Sequence, residues 1–308
     1  GFKRSDVFVI PSNIQVTVET PEGEIITQIR HIESSEPNFD QLDYLNNLCR
    51  YVCQHTPDEN EMREKYLEVI NREPQKRITR YAAGIMGGTG FAVFFGCNLW
   101  DAVIAFIVSV MIVAVGDWLA KRESNLLVYN GILAFISEVI IIGALKMGIA
   151  EHPDRIMIGI VMLLISGLST TNGIRDLLQR DFISGFINIM NSFLGAAGIA
   201  FGIGLAIILF HEGYSDHFIL NHSVPIQLLS CTVACTGFAL WFKIRGKQVW
   251  YNSIGAFFTW AIYVAVYAVK PSNFMATMIA AGFVGFYAFI MSRVNKAPST
   301  IFLTASVF

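Results

Sequence analysis

From Tyr81 to its end the sequence is a succession of apolar runs about as long as a bilayer is thick, broken by short clusters of charge. A helix needs about 20 mainly apolar residues to cross the hydrocarbon core. Runs of that kind lie at 81–98, 100–120, 125–147, 155–174, 182–210, 223–243, 248–269 and 273–292, and 299–308 opens a ninth. Only helices or closed barrels satisfy every backbone group in lipid. The expected class is therefore an α-helical polytopic membrane protein.

Residues 1–80 read differently. They carry most of the charge, in a chain where only 15% of residues are charged and 54% are hydrophobic. VFVI, NIQVTVE and EIITQIRHI alternate with period two and are separated by Pro-Ser-Asn and Thr-Pro-Glu-Gly. These signals predict a three-stranded antiparallel meander. A helix follows from Asn38 with Leu42, Leu45, Leu48 and Val52 as its stripe. A second starts at Pro57-Asp58 with Met62, Tyr66 and Val69 or Ile70 facing inward. The expected domains are a soluble α+β domain at 1–80, a first membrane repeat at 81–211 and a second at 222–308. The chain starts without Met and stops inside an apolar run, which reads as a fragment missing both ends.

Several classes are disfavoured. A net charge of −2 with no basic stripe speaks against nucleic-acid binding. Cys49 and Cys53, and Cys231 and Cys235, are spaced i,i+4, but two thiols fall short of the four ligands of a structural metal site. We expect no metal, no cofactor and no catalytic residues. His31, His55, Asp40 and Asp43 accompany no nucleophile motif.

Charge asymmetry orients the spans. With the soluble domain inside, the inner loops hold Lys121, Arg122, Arg175, Arg180, Lys243, Arg245, Lys247, Arg293 and Lys296. The outer loops hold only Lys146, Arg155 and Lys270, and HEGYSDHFILNH at 211–222 has neither Lys nor Arg. This predicts a multi-pass protein of the plasma or inner membrane with a cytoplasmic N-terminal domain. Trp100, Trp118, Trp241 and Trp250 fall near the expected interfaces.

GFAVFF at 90–95 returns as GFALWF at 237–242, an offset of 147. VYNGILAF at 128–135 and WYNSIGAF at 250–257 match at an offset of 122. The first offset pairs the first span with the sixth. It implies a five-plus-five inverted repeat, the architecture of many secondary transporters.

Polar residues concentrate in GLSTTNGIRDLLQRDFISG, residues 167–185. Thr171 and Arg175 are i,i+4, and Asn172, Asp176 and Gln179 follow one helix face. Ser166-Gly167 loosens the helix before them. Asp181 follows the turn, and Ser184, Asn188 and Asn191 form a polar stripe on the next helix, extended by Gly195, Gly198 and Gly202. Polar groups at membrane depth are costly unless they face protein or water. Donors and carboxylates together suit a zwitterionic amino acid. The competing reading is a satisfied turn with glycine and asparagine as packing glue. Glu138, central in LAFISEVIIIG, is the other outlier. Lost hydration disfavours its charged form, so it can carry a proton near neutral pH and couple transport to a proton gradient; the competing reading is a protonated Glu138 bonded to a neighbouring helix. Asp101 and Asp117 read as helix-end charges. The Gly195–Gly204 face can pack helices within one chain or in a homo-oligomer.

A small αβ domain, five spans, a T171-N172-G173-I174-R175-D176-L177-L178 hairpin continuing through D181 and S184-G185, and a second set of spans together resemble the threonine/serine exporter family. VFVIPSNIQVTVE resembles the family's β-hairpin, and APSTIFL at 297–303 its second-half motif. The resemblance implies export of threonine, serine or a related small polar metabolite, driven by the proton motive force. Split two-subunit relatives imply dicarboxylates such as succinate as an alternative substrate, and a non-transporting partner subunit is a further alternative. Where members usually carry Pro-Gly before the hairpin helix, this chain has Ser166-Gly167. The family's N-terminal helix before the β-hairpin is not in this sequence.

Overall fold

The computed structural model describes residues 3–32, 37–165, 167–211 and 223–303. Ser166, residues 212–222 of the outer-loop expectation and the last residues of the run at 299–308 lie outside the described residues. In chain order the elements are β1 (Arg4–Ile10), β2 (Asn13–Glu19), β3 (Ile25–His31), α1 (Phe39–His55), α2 (Glu59–Ile70), α3 (Arg77–Phe94), α4 (Leu99–Leu119), α5 (Leu126–Lys146), α6 (Pro153–Leu164), α7 (Gly167–Leu178), α8 (Phe182–Phe210), α9 (Val224–Trp241), α10 (Lys247–Val269), α11 (Asn273–Asn295) and α12 (Ser299–Leu303). The chain divides into two compact units, 1–37 with 166–194 and 38–165 with 195–308.

In the first unit the strands form the expected meander, in the order β1-β2-β3. Val7 pairs with Val16 and Val9 with Ile14, while Val18 sits between Ser5 and Ile26. Period-two alternation therefore gathers these six apolar side chains on one face. The same unit holds α7 and the start of α8.

In the second unit, six helices among the described residues (one of them, α8, shared with the first) are long and apolar enough to cross a membrane: α4, α5, α8, α9, α10 and α11. This is a membrane protein. Two expected spans differ. The run at 81–98 is α3, whose first turn includes Arg77 and Arg80 and whose body is glycine-rich, so it is less apolar than the rest. The run at 155–174 is not one helix: α6 stops at Leu164, and Ile165 turns extended, with ψ 137°.

The centre of this unit is the crossing of α3 and α9. A Cβ built on Gly90 would lie 2.9 Å from the Ala234 nitrogen, and one on Gly237 would lie 2.5 Å from the Gly87 nitrogen. At an offset of 147, Gly87 corresponds to Ala234 and Gly90 to Gly237. The contacts are therefore reciprocal. Phe91 and its counterpart Phe238 meet each other, with ring centroids 5.5 Å apart. Contacts that ascend α3 descend α9, so the two helices run antiparallel. Without a hydrophobic drive between helices in lipid, backbone approach at small residues holds such pairs together. α6 joins the same core, because Gly159 sits against the backbone of Ala92.

α5 and α8 also meet through glycine. A Cβ on Gly198 would lie 2.3 Å from the Leu127 carbonyl oxygen, and one on Gly202 would lie 2.2 Å from that of Gly131. Asn130 donates to the Gly195 carbonyl at 3.3 Å. Gly195, Gly198 and Gly202, read from sequence as an extension of the polar stripe, thus pack against α5 within the chain. At the offset of 122 from Asn130 stands Asn252, fully buried, which donates to the Ile301 carbonyl of α12 at 2.9 Å.

Helix ends follow local chemistry. Asn98 and Asp101 form a capping box at the start of α4. Asp101 is fully buried and also accepts from the Glu151 and His152 amides and from His152 Nδ1 at 2.9 Å. Asp117, at the other end, pairs with Arg80 at 2.8 Å. Both are helix-end charges, as expected.

Helices α1 and α2 are placed less by their stripes than expected. Leu42, Met62, Tyr66 and Ile70 are exposed, while Phe39, Asp40 and Val69 are buried. Phe39 packs edge-on against Phe242, 5.9 Å between centroids, and Gln75 donates to the Leu240 carbonyl at 2.8 Å. α1 is thus tied to the end of α9 by its own N-terminus.

Candidate functional site

The TNGIRDLLQRD stretch forms α7 and the turn into α8. The α7 end is set by Arg180, which adopts φ +68°. The Arg180 amide donates to the Leu177 carbonyl and the Asp181 amide to the Asp176 carbonyl, at 3.1 and 2.9 Å. This is the Schellman arrangement, which glycine usually occupies at the left-handed position. An arginine there costs roughly 1 kcal/mol of backbone strain. In return it puts a cation at the negative end of the helix. Lys243 after α9 and Lys296 after α11 stand in the same left-handed conformation. Three of the basic residues that the charge count assigns to inner loops thus also terminate helices.

Asp181 then starts α8, its Oδ1 accepting from the Ser184 amide at 3.4 Å. Asp181 and Ser184, expected along a substrate path, are brought together as a cap, and Ser184 is buried. Thr171 turns its hydroxyl back onto the Gly167 carbonyl at 3.1 Å. The central pair is Asp176 and Asn188: the Asn188 amide donates to Asp176 Oδ2 at 3.1 Å. Arg175 and Asn191 are exposed and Asn172 is half-buried.

Two glycines make that pair possible. A Cβ on Gly173 would lie 3.0 Å from the Gly185 carbonyl oxygen and 2.8 Å from Ile189 Cγ1. One on Gly185 would lie 2.9 Å from the Gly173 carbonyl oxygen and 2.7 Å from Leu177 Cγ. The two helices therefore touch backbone to backbone. Neither glycine was read from sequence as a contact. The signal was there: each stands six residues from Gln179, so a tight antiparallel turn sets them opposite each other.

Glu138 belongs to the other unit. It is 1% exposed on α5 and lines a void of about 10 Å³ with Ser137, Met157, Leu164 and Ile203. That volume is close to the least that holds one water. The arrangement is a carboxyl in an apolar packing layer with room for a single small polar molecule. Among the described residues, no three His, Cys, Asp or Glu side chains gather as a metal site. None of the five cysteines is in a disulfide among the described residues.

A family model for threonine/serine exporters matches residues 1–210, and a second, for the threonine/serine exporter ThrE, matches 227–308. A curated relative from Corynebacterium glutamicum, named a threonine/serine exporter, is 23% identical over 287 residues. The match covers 88% of this chain and 58% of that protein, so the chain spans under two thirds of the relative's length. No solved structure matches the chain.

Proposed function

The chain belongs to the threonine/serine exporter family, and on that premise we propose that it is a secondary active transporter. It exports small polar amino acids of the threonine/serine type from the cytoplasm, coupled to the proton motive force. The carrying observation is the α7–α8 hairpin, where Gly173 and Gly185 bring the Asp176 carboxylate within 3.1 Å of the Asn188 amide. A carboxylate that accepts from one amide keeps lone pairs for a substrate ammonium. Arg175, one residue away, supplies a fork for a substrate carboxylate. Thr171, Asn172 and Asn191 complete the path, and Asp181 and Ser184 fix the turn.

The five-plus-five inverted repeat is supported by the reciprocal α3–α9 contacts, since counterpart helices that run antiparallel require inverted copies. The partition into 1–80, 81–211 and 222–308 follows from that reading. The excess of Lys and Arg in alternate loops supports a cytoplasmic N-terminal domain.

The test is counterflow in proteoliposomes holding the full-length protein and unlabelled threonine, with labelled threonine outside. Accumulation that succinate does not inhibit, and that Asp176→Asn abolishes, supports the reading. Exchange with succinate alone moves the substrate to dicarboxylates. No exchange with either leaves a partner subunit.

Glu138 carries the proton in this scheme. Glu138→Gln keeps the shape but cannot titrate. Flux driven by an imposed pH gradient is expected to fall at least tenfold, with counterflow at equal pH retained. Unchanged pH dependence removes the proton role from Glu138.

A further inference from the structure

The α3–α4 and α5–α6 connections are joined through one buried carboxylate. Asp101, in the first turn of α4, is fully buried. It accepts from the Asn98 amide of its own cap at 3.3 Å, and from the Glu151 and His152 amides just before α6 at 2.9 and 3.3 Å. Its Oδ2 also lies 2.9 Å from His152 Nδ1. Two more bonds cross between the same segments. Asn98 donates to Glu151 Oε2 at 2.7 Å, and Arg155 donates to the Gly96 carbonyl at 2.6 Å.

One of these bonds runs through an imidazole. With Nδ1 donating to Asp101, Nε2 is the nitrogen left to take a proton. Histidine is the side chain whose charge changes between about pH 5 and 8. The His152 side chain is 36% exposed, so a proton from solution reaches it, while Asp101 is shut away. Protonation makes the donor cationic, and a charge-assisted hydrogen bond is roughly twice as strong as a neutral one. The neighbouring charges do not replace it. Glu151 is held by Asn98, Arg155 is turned to Gly96, and Asp154 lies in the first turn of α6. Among the described residues, no other basic side chain stands within ion-pair distance of Asp101.

We propose that His152 is an outer latch of the transport cycle. Protonated from the outer solution, it pairs with Asp101 and holds the outer ends of α4 and α6 together; neutral, it lets them part. This rests on the reading of the chain as a proton-driven exporter with a cytoplasmic N-terminal domain, which puts both connections outside. The latch proton enters and leaves at Nε2, to and from the outer solution, and the proton that crosses the membrane stays with Glu138. The proton gradient makes the outer side acidic, so the latch shuts the outer face once substrate has left. α6 carries the effect inward, because its Met157, Ile160 and Leu164 line the void beside Glu138. His152 is a positioning residue and touches no substrate.

Cys97 reports on the latch. It is 3% exposed and stands between Gly96 and Asn98, both bonded across the joint. Parting of the two connections bares its thiol. The full-length protein in proteoliposomes is labelled from outside with a membrane-impermeant maleimide at about pH 8 and about pH 6, the range in which histidine changes charge. Peptide mass spectrometry reads the rate at Cys97. His152→Asn is the reference: it keeps a side-chain amide donor, suits the N-cap of α6 and cannot take up a proton. It also carries the pH dependence of the reagent itself. Wild type is expected to label at the variant's rate at the higher pH and about fivefold more slowly than the variant at the lower, the gain from a neutral to a charged hydrogen bond. His152→Gln replaces the reference if His152→Asn fails to fold. The same pH dependence in wild type and variant, or a Cys97 that never labels in either, overturns the proposal. Threonine counterflow keeps the two readings apart. In Glu138→Gln, outer acid should slow counterflow about fivefold, and adding His152→Asn should abolish that slowing. Labelling that follows pH in a protein without any counterflow removes the transport reading and leaves the latch.

Discussion

Gly237→Leu and Gly90→Leu are each expected to destabilise the protein by about 3 kcal/mol or more, at the upper end for overpacked cores. Gly84→Leu should cost clearly less. The difference lies in what each new side chain meets. At Gly237 a Cβ would stand 2.5 Å from the Gly87 nitrogen and 2.8 Å from the Ala83 carbonyl oxygen, and at Gly90 it would stand about 3 Å from three Ala234 atoms. These neighbours include helix backbone, which cannot swing aside, so α3 and α9 must separate. That also opens the Phe91–Phe238 contact on the crossing. At Gly84 the nearest atom, at 2.4 Å, is a methyl of Val113, and the next belongs to the Trp241 ring. Side chains can take another rotamer. Thermal unfolding followed by tryptophan fluorescence gives the ranking. A tolerated Gly237→Leu beside a collapsed Gly84→Leu would contradict the crossing.

The crossing shows how far the sequence could be read. GFAVFF and GFALWF suggested a repeat, because an offset is visible in one dimension. That Gly90 meets the counterpart of Gly87 and Gly237 meets Gly87 itself is a property of two helices together. The sheet was legible throughout, since alternation and turn composition act over two or three residues. The break between α6 and α7 was legible only in part, because Ser166-Gly167 read as a loosening within one span rather than as its end. Proline marks a helix break by removing a donor, and Ser166-Gly167 lacks that mark. The α1 stripe misled for another reason. Periodicity weighs apolar side chains, whereas α1 is held through Phe39, Asp40 and hydrogen bonds to helix-end carbonyls. Asp181 shows the same limit: its spacing fits a path as well as a cap, and only the Ser184 amide at 3.4 Å separates the two.

Gly173→Leu is expected to abolish threonine counterflow in the full-length protein, with Gly173→Ala intermediate. On an exposed helix, replacing glycine by alanine gains roughly 1 kcal/mol. Here that gain opposes a Cβ placed 2.8 Å from Ile189 Cγ1 and 3.0 Å from the Gly185 carbonyl oxygen. The first neighbour is a flexible side chain and the second is backbone. Gly173→Ala should therefore recover part of its activity when combined with Ile189→Ala, whereas Gly173→Leu should not, because its further carbons must also pass the Gly185 and Ile189 backbone, which already lies 3.0 and 3.1 Å from the Cβ. A double-mutant cycle measures that coupling. Prying the helices apart also breaks the Asn188–Asp176 hydrogen bond, so Asn188→Ala provides the control. Loss of counterflow in both variants, with folded protein by thermal unfolding, makes the amide–carboxylate pair the working part of the hairpin. Loss in Gly173→Leu alone makes the close approach of the two helices what transport needs, and leaves Asp176 to act without its amide partner.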